Sequence, residues 1–262
     1  MSGNPTDVFA AAAGSGEPSL VRQIWDYLSD GENWGGPGGL LDLIGNHVQQ
    51  SVLALLVSAV VALPIGLYIG HTNRFAFIAV NIGNLARAFP TVGILVLVLG
   101  LTSIGLFPLV VALFLLGVPP ILASTYAGMR AVDPAVRDAA LGVGMSENEI
   151  VRQVEIPMAL PLILSGFRAA SLQIVATATI GAKAGLENLG TPMFDGQSIQ
   201  DYGILGAGAV LVTGLALVVD SAYAVGTRLI VSPGITRRDN TSSGRRRFGR
   251  GAARRPSAIE SV

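Results

Sequence analysis

Residues 50–70 read QSVLALLVSAVVALPIGLYIG, and how this stretch is read decides the fold class. It is charge-free and about as long as the ~20 apolar helical residues that cross a bilayer core of about 30 Å. A membrane-spanning helix is therefore predicted, with Pro64 and Gly66 as expected kink points. Further along, the 42 residues from Ala88 to Met129 also carry no charge. They are too many for one span and suit two, at 78–101 and 105–127, joined by a tight turn at Thr102-Ser103-Ile104-Gly105. A fourth span is expected at 159–181, including Arg168, and a fifth at 204–230, including Asp220. The predicted class is all-α, a polytopic membrane protein with about five transmembrane helices.

Composition agrees with that class. The chain is 51% hydrophobic and 13% charged, with a mean hydropathy of +0.59, whereas a soluble domain carries roughly a quarter charged residues. The net charge of zero hides an asymmetry, because six acids and one Arg lie in the first 46 residues and nine of the seventeen basic residues lie between Arg228 and Arg255. Lys and Arg in short loops set orientation. Arg74, Arg130, Arg137, Arg152 and the tail arginines fall on one side of the five spans, and only Arg22 and Lys183 on the other. The amino terminus is thus expected outside and the carboxyl terminus in the cytoplasm.

Three regions follow from these counts. Residues 1–47 form an extracytoplasmic segment in which Leu20, Val21, Ile24, Trp25 and Leu28 make an apolar stripe over 19–30, suggesting an amphipathic helix packed on the protein or on lipid. Residues 48–231 form the transmembrane domain. Residues 232–262 are Arg-rich and too poor in apolar residues to fold, giving a basic tail that is either solvated or in contact with anionic lipid. No basic region followed by an apolar core opens the chain, so a cleavable signal peptide is not expected. With no cysteine and two histidines, thiol chemistry and a histidine metal cluster are excluded. There is no GxxxxGK[ST] phosphate loop, HExxH or GxSxG. No enzymatic activity, cofactor, metal or nucleic-acid partner is expected.

One polar segment interrupts the apolar runs: residues 133–157, DPAVRDAALGVGMSENEIVRQVEIP. Pro134 suits the start of a short helix through Ala135–Leu141, Gly142 and Gly144 permit a sharp reversal, and Ser146 with Glu149 has the spacing of a capping box for a second helix ending near Glu155. Pro157 and Pro161 disfavour simple continuation into the fourth span. Two short helices around a glycine elbow would make a stiff knob, with small Ala139 and Ala140 able to enter a groove and Asp138, Glu147, Glu149 and Arg152 at its rim.

Within it, Asp138-Ala139-Ala140, three residues, Gly144, nine residues and Val154-Glu155-Ile156-Pro157 closely resemble the EAA loop of bacterial ABC importer permeases. That pattern is Glu-Ala-Ala, three residues, Gly, nine residues, Ile, any residue, Leu-Pro, and the departures Asp138, Val154 and Ile156 are conservative. The resemblance implies a permease domain over 48–231 whose loop at 130–158 docks in a cytoplasmic ABC ATPase dimer. Its implied coupling residues are Asp138, Ala139, Ala140, Gly144, Glu147, Ile156 and Pro157. It also implies a second permease, identical or paralogous, an extracytoplasmic substrate-binding protein, and a place in the bacterial plasma membrane.

Over residues 43–190 the order and spacing of apolar pieces such as NLARAFPTVGILVLVLGL and IPMALPLILSGFRAA resemble osmoprotectant permeases for glycine betaine, choline or carnitine; methionine importer permeases look similar in the same regions. The turn after span four, near IGAGGLG in that family, is longer and charged here at Ile180–Gly190. Candidate pathway residues are Arg87, Thr91, Thr125, Arg168 and Thr177. Arg87 suits snorkelling equally well, the threonines suit bonds to their own backbone, and Arg168 suits pairing with Asp220 across helices. An ion-gradient transporter, the rival class, would be favoured by an inverted repeat and buried carboxylates at mid-membrane, and neither is found.

Overall fold

The computed structural model describes residues 19–77, 81 and 90–230. Every regular element among them is helical. In chain order these are α1 (Leu20–Ser29), α2 (Leu40–Thr72), α3 (Thr91–Leu101), α4 (Leu106–Arg130), α5 (Pro134–Gly142), α6 (Glu147–Ile150), α7 (Ile156–Thr177), α8 (Gly190–Ile199) and α9 (Tyr202–Ile230). A π-helical turn, Val151–Glu155, joins α6 to α7, and a 3-10 segment, Ala178–Ala184, extends α7. Four helical stretches are long and apolar enough to cross a membrane: Leu40–Thr72, Leu106–Arg130, Glu147–Ala184 and Tyr202–Ile230. α3 is apolar, but its 11 residues reach only about 16 Å. The amino-terminal part of the span predicted at 78–101, with Arg87, lies largely outside the described residues.

The bundle is built on α2, α4 and α7. On α2, Ala54, Ser58, Ala62, Gly66 and Gly70 recur every fourth residue and all are buried, the small-residue spacing that brings membrane helices into close contact. A Cβ on Gly66 would stand 2.8 Å from Cβ of Thr125 on α4, and one on Gly70 would collide with Met129. Gly66 therefore serves close packing. Leu109, Ala112 and Leu113 of α4 close one core with Ala54, Leu95 and Ile174, and Ile121 and Leu122 close a second with Ala62, Ile69 and Ala170.

α2 begins at Leu40, ten residues before the predicted span. Its first turns carry His47 and Gln50, both buried and both bonded to distant backbone: a His47 ring nitrogen lies 2.9 Å from the Val175 carbonyl, and Gln50 donates to the Glu187 carbonyl at 3.2 Å. The side-chain amide of buried Asn188 donates to Gln50 Oε1 at 2.8 Å and to the Ala178 carbonyl at 3.0 Å. These bonds fold the Ile180–Gly190 turn back onto α2. Where the sequence suggests only a loop after 181, α8 forms and packs along α9.

α1 packs on the start of α9, with Ile24 against Gly206 and Gln23 against Gly203. Its last carbonyls are capped by Asn33, which donates to Tyr27 O at 2.9 Å, and by the Trp34 indole, which donates to Leu28 O at 2.7 Å. Leu20, Val21 and Trp25 remain exposed.

Candidate functional site

The segment between α4 and α7 is a two-helix knob. Asp133 caps α5 by accepting from Ala135 N–H at 2.9 Å, and Pro134 occupies the first turn, where its missing N–H costs nothing. The far end of α5 closes with two reversed bonds: Met145 N–H to Ala140 O at 3.1 Å and Gly144 N–H to Leu141 O at 2.9 Å. This is a Schellman motif, whose turning residue must be left-handed. Gly144 supplies that conformation with φ +88°, and no atom lies within 4 Å of the position a Cβ would take. α6 then starts on the capping box expected from sequence. The Glu149 carboxylate accepts from Ser146 N–H at 2.8 Å and from the Ser146 hydroxyl at 2.7 Å. The bond from the Ser146 backbone, then that from its hydroxyl, hold this carboxyl below the usual glutamate range.

The chain passes Pro157 without stopping, but not as a simple α-helix. Proline withholds the N–H that would bond the carbonyl four residues back and crowds that carbonyl. The helix absorbs this by widening to a π turn over Val151–Glu155, in which Ile156 N–H bonds the Val151 carbonyl. Glu147–Ala184 is consequently one continuous helix, and the knob is rigidly attached to the membrane segment that follows it.

The tip and the base of the knob differ in character. At the tip, Asp138, Ala139, Leu141, Val143 and Gly144 are exposed, Val143 at 80%. Ala140 is buried beneath them, and Pro157 is exposed on the flank. Ile156 packs beside the cluster of Met129, Ala159 and Ile163. At the base lies Glu155, the position left free in the sequence pattern, with 0% of its side chain exposed. Its Oε1 is 2.6 Å from Arg137 Nε, and its Oε2 is 2.9 Å from Nδ1 of His71 in the last turn of α2. The other ring nitrogen of His71 is 3.3 Å from Glu147 Oε2. Arg137 Nη2 also donates to the Met129 carbonyl, in the last turn of α4, at 2.8 Å. One buried carboxylate therefore gathers the ends of α2 and α4 and both knob helices. Sequence spacing carries no sign of this set, because its members stand 84 residues apart at the extremes.

The pathway candidates do not come together. Arg87 lies outside the described residues. Thr91 is half-buried in the first turn of α3, and Thr125 is fully buried against Gly66. Thr177 is half-buried at the end of α7. Arg168 makes a two-pronged contact with Asp220 of α9, at 2.6 and 2.8 Å, with the two side chains 45% and 33% exposed. Ser165, Arg168, Ala169 and Gln173 together give α7 an exposed face of polar and small residues. By contrast, the exposed part of α2 between 52 and 61 is Val52, Leu53, Leu56, Val57, Val60 and Val61.

Comparison with known proteins follows the same lines. The choline transport system permease protein OpuBB of Bacillus subtilis is 34% identical over 200 residues, covering 76% of this chain and 92% of that protein. The glycine betaine/carnitine/choline transport system permease protein OpuCB of the same organism is 32% identical, covering 76% and 91%. The osmoprotectant import permease protein OsmY of Salmonella typhimurium is 33% identical, covering 71% and 79%. Among solved structures, an inward-facing form of the MetNI methionine ABC transporter superposes with a TM-score of 0.65 at 22% identity, over 74% of this chain and 96% of that one, a likeness of fold. Residues 62–231 match the family described as binding-protein-dependent transport system inner membrane component. The knob, the apolar bundle and these matches agree: the chain belongs to that family and is a permease component of an ABC importer, whose ATPase is a separate subunit.

Proposed function

We propose that this chain is the transmembrane permease of an importer for quaternary-ammonium osmoprotectants of the glycine betaine, choline and carnitine class. The observation that carries the coupling half of this reading is the knob: an exposed tip on a rigid, capped, proline-absorbing helix that continues into the bundle. The substrate class rests on relatives above 30% identity that are named for choline, glycine betaine and carnitine transport. The methionine transporter contributes a fold likeness only.

In this reading five helices cross the bacterial inner membrane, α3 being the outer part of the second. The amino terminus faces outward, and the knob and carboxyl terminus face the cytoplasm. Asp138, Ala139 and Gly144 enter a cleft of the ATPase dimer, with Ala140, which the sequence suggests for that groove, packed beneath them instead; Glu147 borders the contact, Ile156 seats the knob on the bundle and Pro157 lies on its exposed flank. A second permease, identical or paralogous, completes the pathway, and an extracytoplasmic binding protein delivers substrate. The polar face of α7 around Arg168, with Thr177 near its end, turns toward the partner permease or the pathway, because charged and amide side chains are costly against lipid.

The test is uptake by cells expressing the whole transporter in a host lacking its own osmoprotectant importers. Labelled glycine betaine, choline and carnitine are compared with labelled methionine. Uptake of at least one quaternary amine, abolished by disabling the ATPase, is expected; methionine uptake alone would overturn the substrate class.

A further inference from the structure

We infer that His71 and Glu155 transmit the motion of the knob to α2, and that this contact, absent from the sequence pattern, is a second set of positioning residues for coupling. The inference rests on the coupling role proposed for the knob.

Three helices of the bundle meet the knob, and they do so by different means. α7 is joined to it by continuous helix through the π turn. α4 is joined by the short link Ala131–Asp133 and by the bond from Arg137 to the Met129 carbonyl. α2 has no such covalent neighbour: beyond Thr72 the chain turns away through Asn73, in a left-handed conformation, and Arg74. Leu63 and Leu67 of α2 do lie against the cluster that includes Val151 and Ile156, but apolar contacts are non-directional and permit sliding. The polar link from α2 to the knob runs through His71, held by Glu155 at 2.9 Å and facing Glu147 at 3.3 Å.

The geometry suits a link that holds direction. The Glu155 carboxylate is fully buried, its Oε2 bonded to His71 and its Oε1 facing the Arg137 guanidinium as an ion pair. Hydrogen bonds to charged groups in such surroundings are short, strong and orientation-dependent. His71 is locked from its own side as well, since adjacent Gly70 lets the end of α2 pack directly against Met129 of α4. A displacement of α6 and the π turn is thereby passed to the end of α2 as a displacement of the His71 ring. Without the contact, the end of α2 follows the knob only through its apolar packing on α4 and α7.

The experiment uses the complete transporter in lipid vesicles and measures three things: retention of the ATPase subunits, ATP hydrolysis and substrate uptake. His71→Ala removes the link while Arg137 still pairs with Glu155, and all three readings are normalised to the abundance of the assembled transporter so that a loss of folding is separated from a loss of coupling. ATPase retention and hydrolysis within about twofold of the parent are expected, with uptake per ATP falling about 5–150-fold, the span of ordinary coupling free energies. His71→Asn, whose amide can replace Nδ1 toward Glu155, should recover much of that loss. Glu155→Gln should uncouple in the same direction. Unchanged uptake in His71→Ala overturns the inference, as does a parallel fall of uptake and hydrolysis that His71→Asn fails to relieve. The underlying reading fails differently: the unaltered chain would then retain no ATPase.

Discussion

Replacing Gly144 with valine should disable transport while leaving the chain in the membrane, and the size of the effect can be worked from its backbone. Gly144 sits at φ +88° with no neighbour within 4 Å of the point where a Cβ would stand, so a Cβ itself meets no clash. The cost is the backbone penalty of a left-handed L-residue, about 1–2 kcal/mol. That penalty falls on the elbow whose bonds Met145 to Ala140 and Gly144 to Leu141 fix the angle between α5 and α6. If it is taken wholly from the docked shape of the knob, transport falls about 5–30-fold, at tenfold per 1.4 kcal/mol. Gly142 is an internal control: it is equally open to solvent but has no left-handed φ, and Gly142→Ala should be neutral or slightly stabilising. The assay is ATP-dependent uptake normalised to membrane abundance. Gly144→Val at full abundance with uptake within about twofold of the parent would refute the elbow argument.

Three further outcomes follow from packing and charge. Gly70→Leu should cost at least about 1–3 kcal/mol of stability by overpacking against Met129, seen as a lower melting temperature in detergent; an unchanged melt would remove close packing as the reason for glycine there. Arg168→Ala should lower membrane abundance by stranding Asp220, and Arg168→Ala combined with Asp220→Ala should restore it; failure of the double variant to recover would leave the pair without a structural role. Because the Glu149 carboxyl is held below its usual range by Ser146, its contribution is complete above that range and is lost as pH falls through the lowered value. The protection of the Ser146 amide, taken relative to its intrinsic exchange rate at each pH, should therefore hold at neutral pH and fall in acid, and Glu149→Ala should remove it at every pH.

Much of the knob is legible in the sequence because its signals are local. Asp133-Pro134, Gly144 and the Ser146/Glu149 pair each act within a few residues, and each forms the turn or cap its chemistry suggests. The turn at Thr102–Gly105 likewise separates α3 from α4. What escapes depends on distant partners. Residues 40–49 look too polar for a span because Asp42, Asn46, His47 and Gln49 punctuate them, yet His47 finds a carbonyl 128 residues away. α8 contains Gly190, Pro192 and Gly196 and lacks apolar periodicity, so only its packing on α9 explains it. The small residues from Ala54 to Gly70 do carry a readable period of four, which marks the face of α2 turned to α4. Glu155 is the hardest case, since nothing near it in sequence says that Arg137 and His71 will close over it.

The central claim, that the knob meets an ATPase, is tested most directly by cross-linking from its tip. The chain has no cysteine, so Val143→Cys, 80% exposed at that position, provides a single attachment point for a short bifunctional thiol-to-amine reagent in membranes containing the whole transporter. The account predicts a product containing this chain and the ATPase subunit, formed from Val143→Cys and absent from Val60→Cys on the apolar face of α2. An intact, transporting complex that yields no such product from Val143→Cys would contradict it.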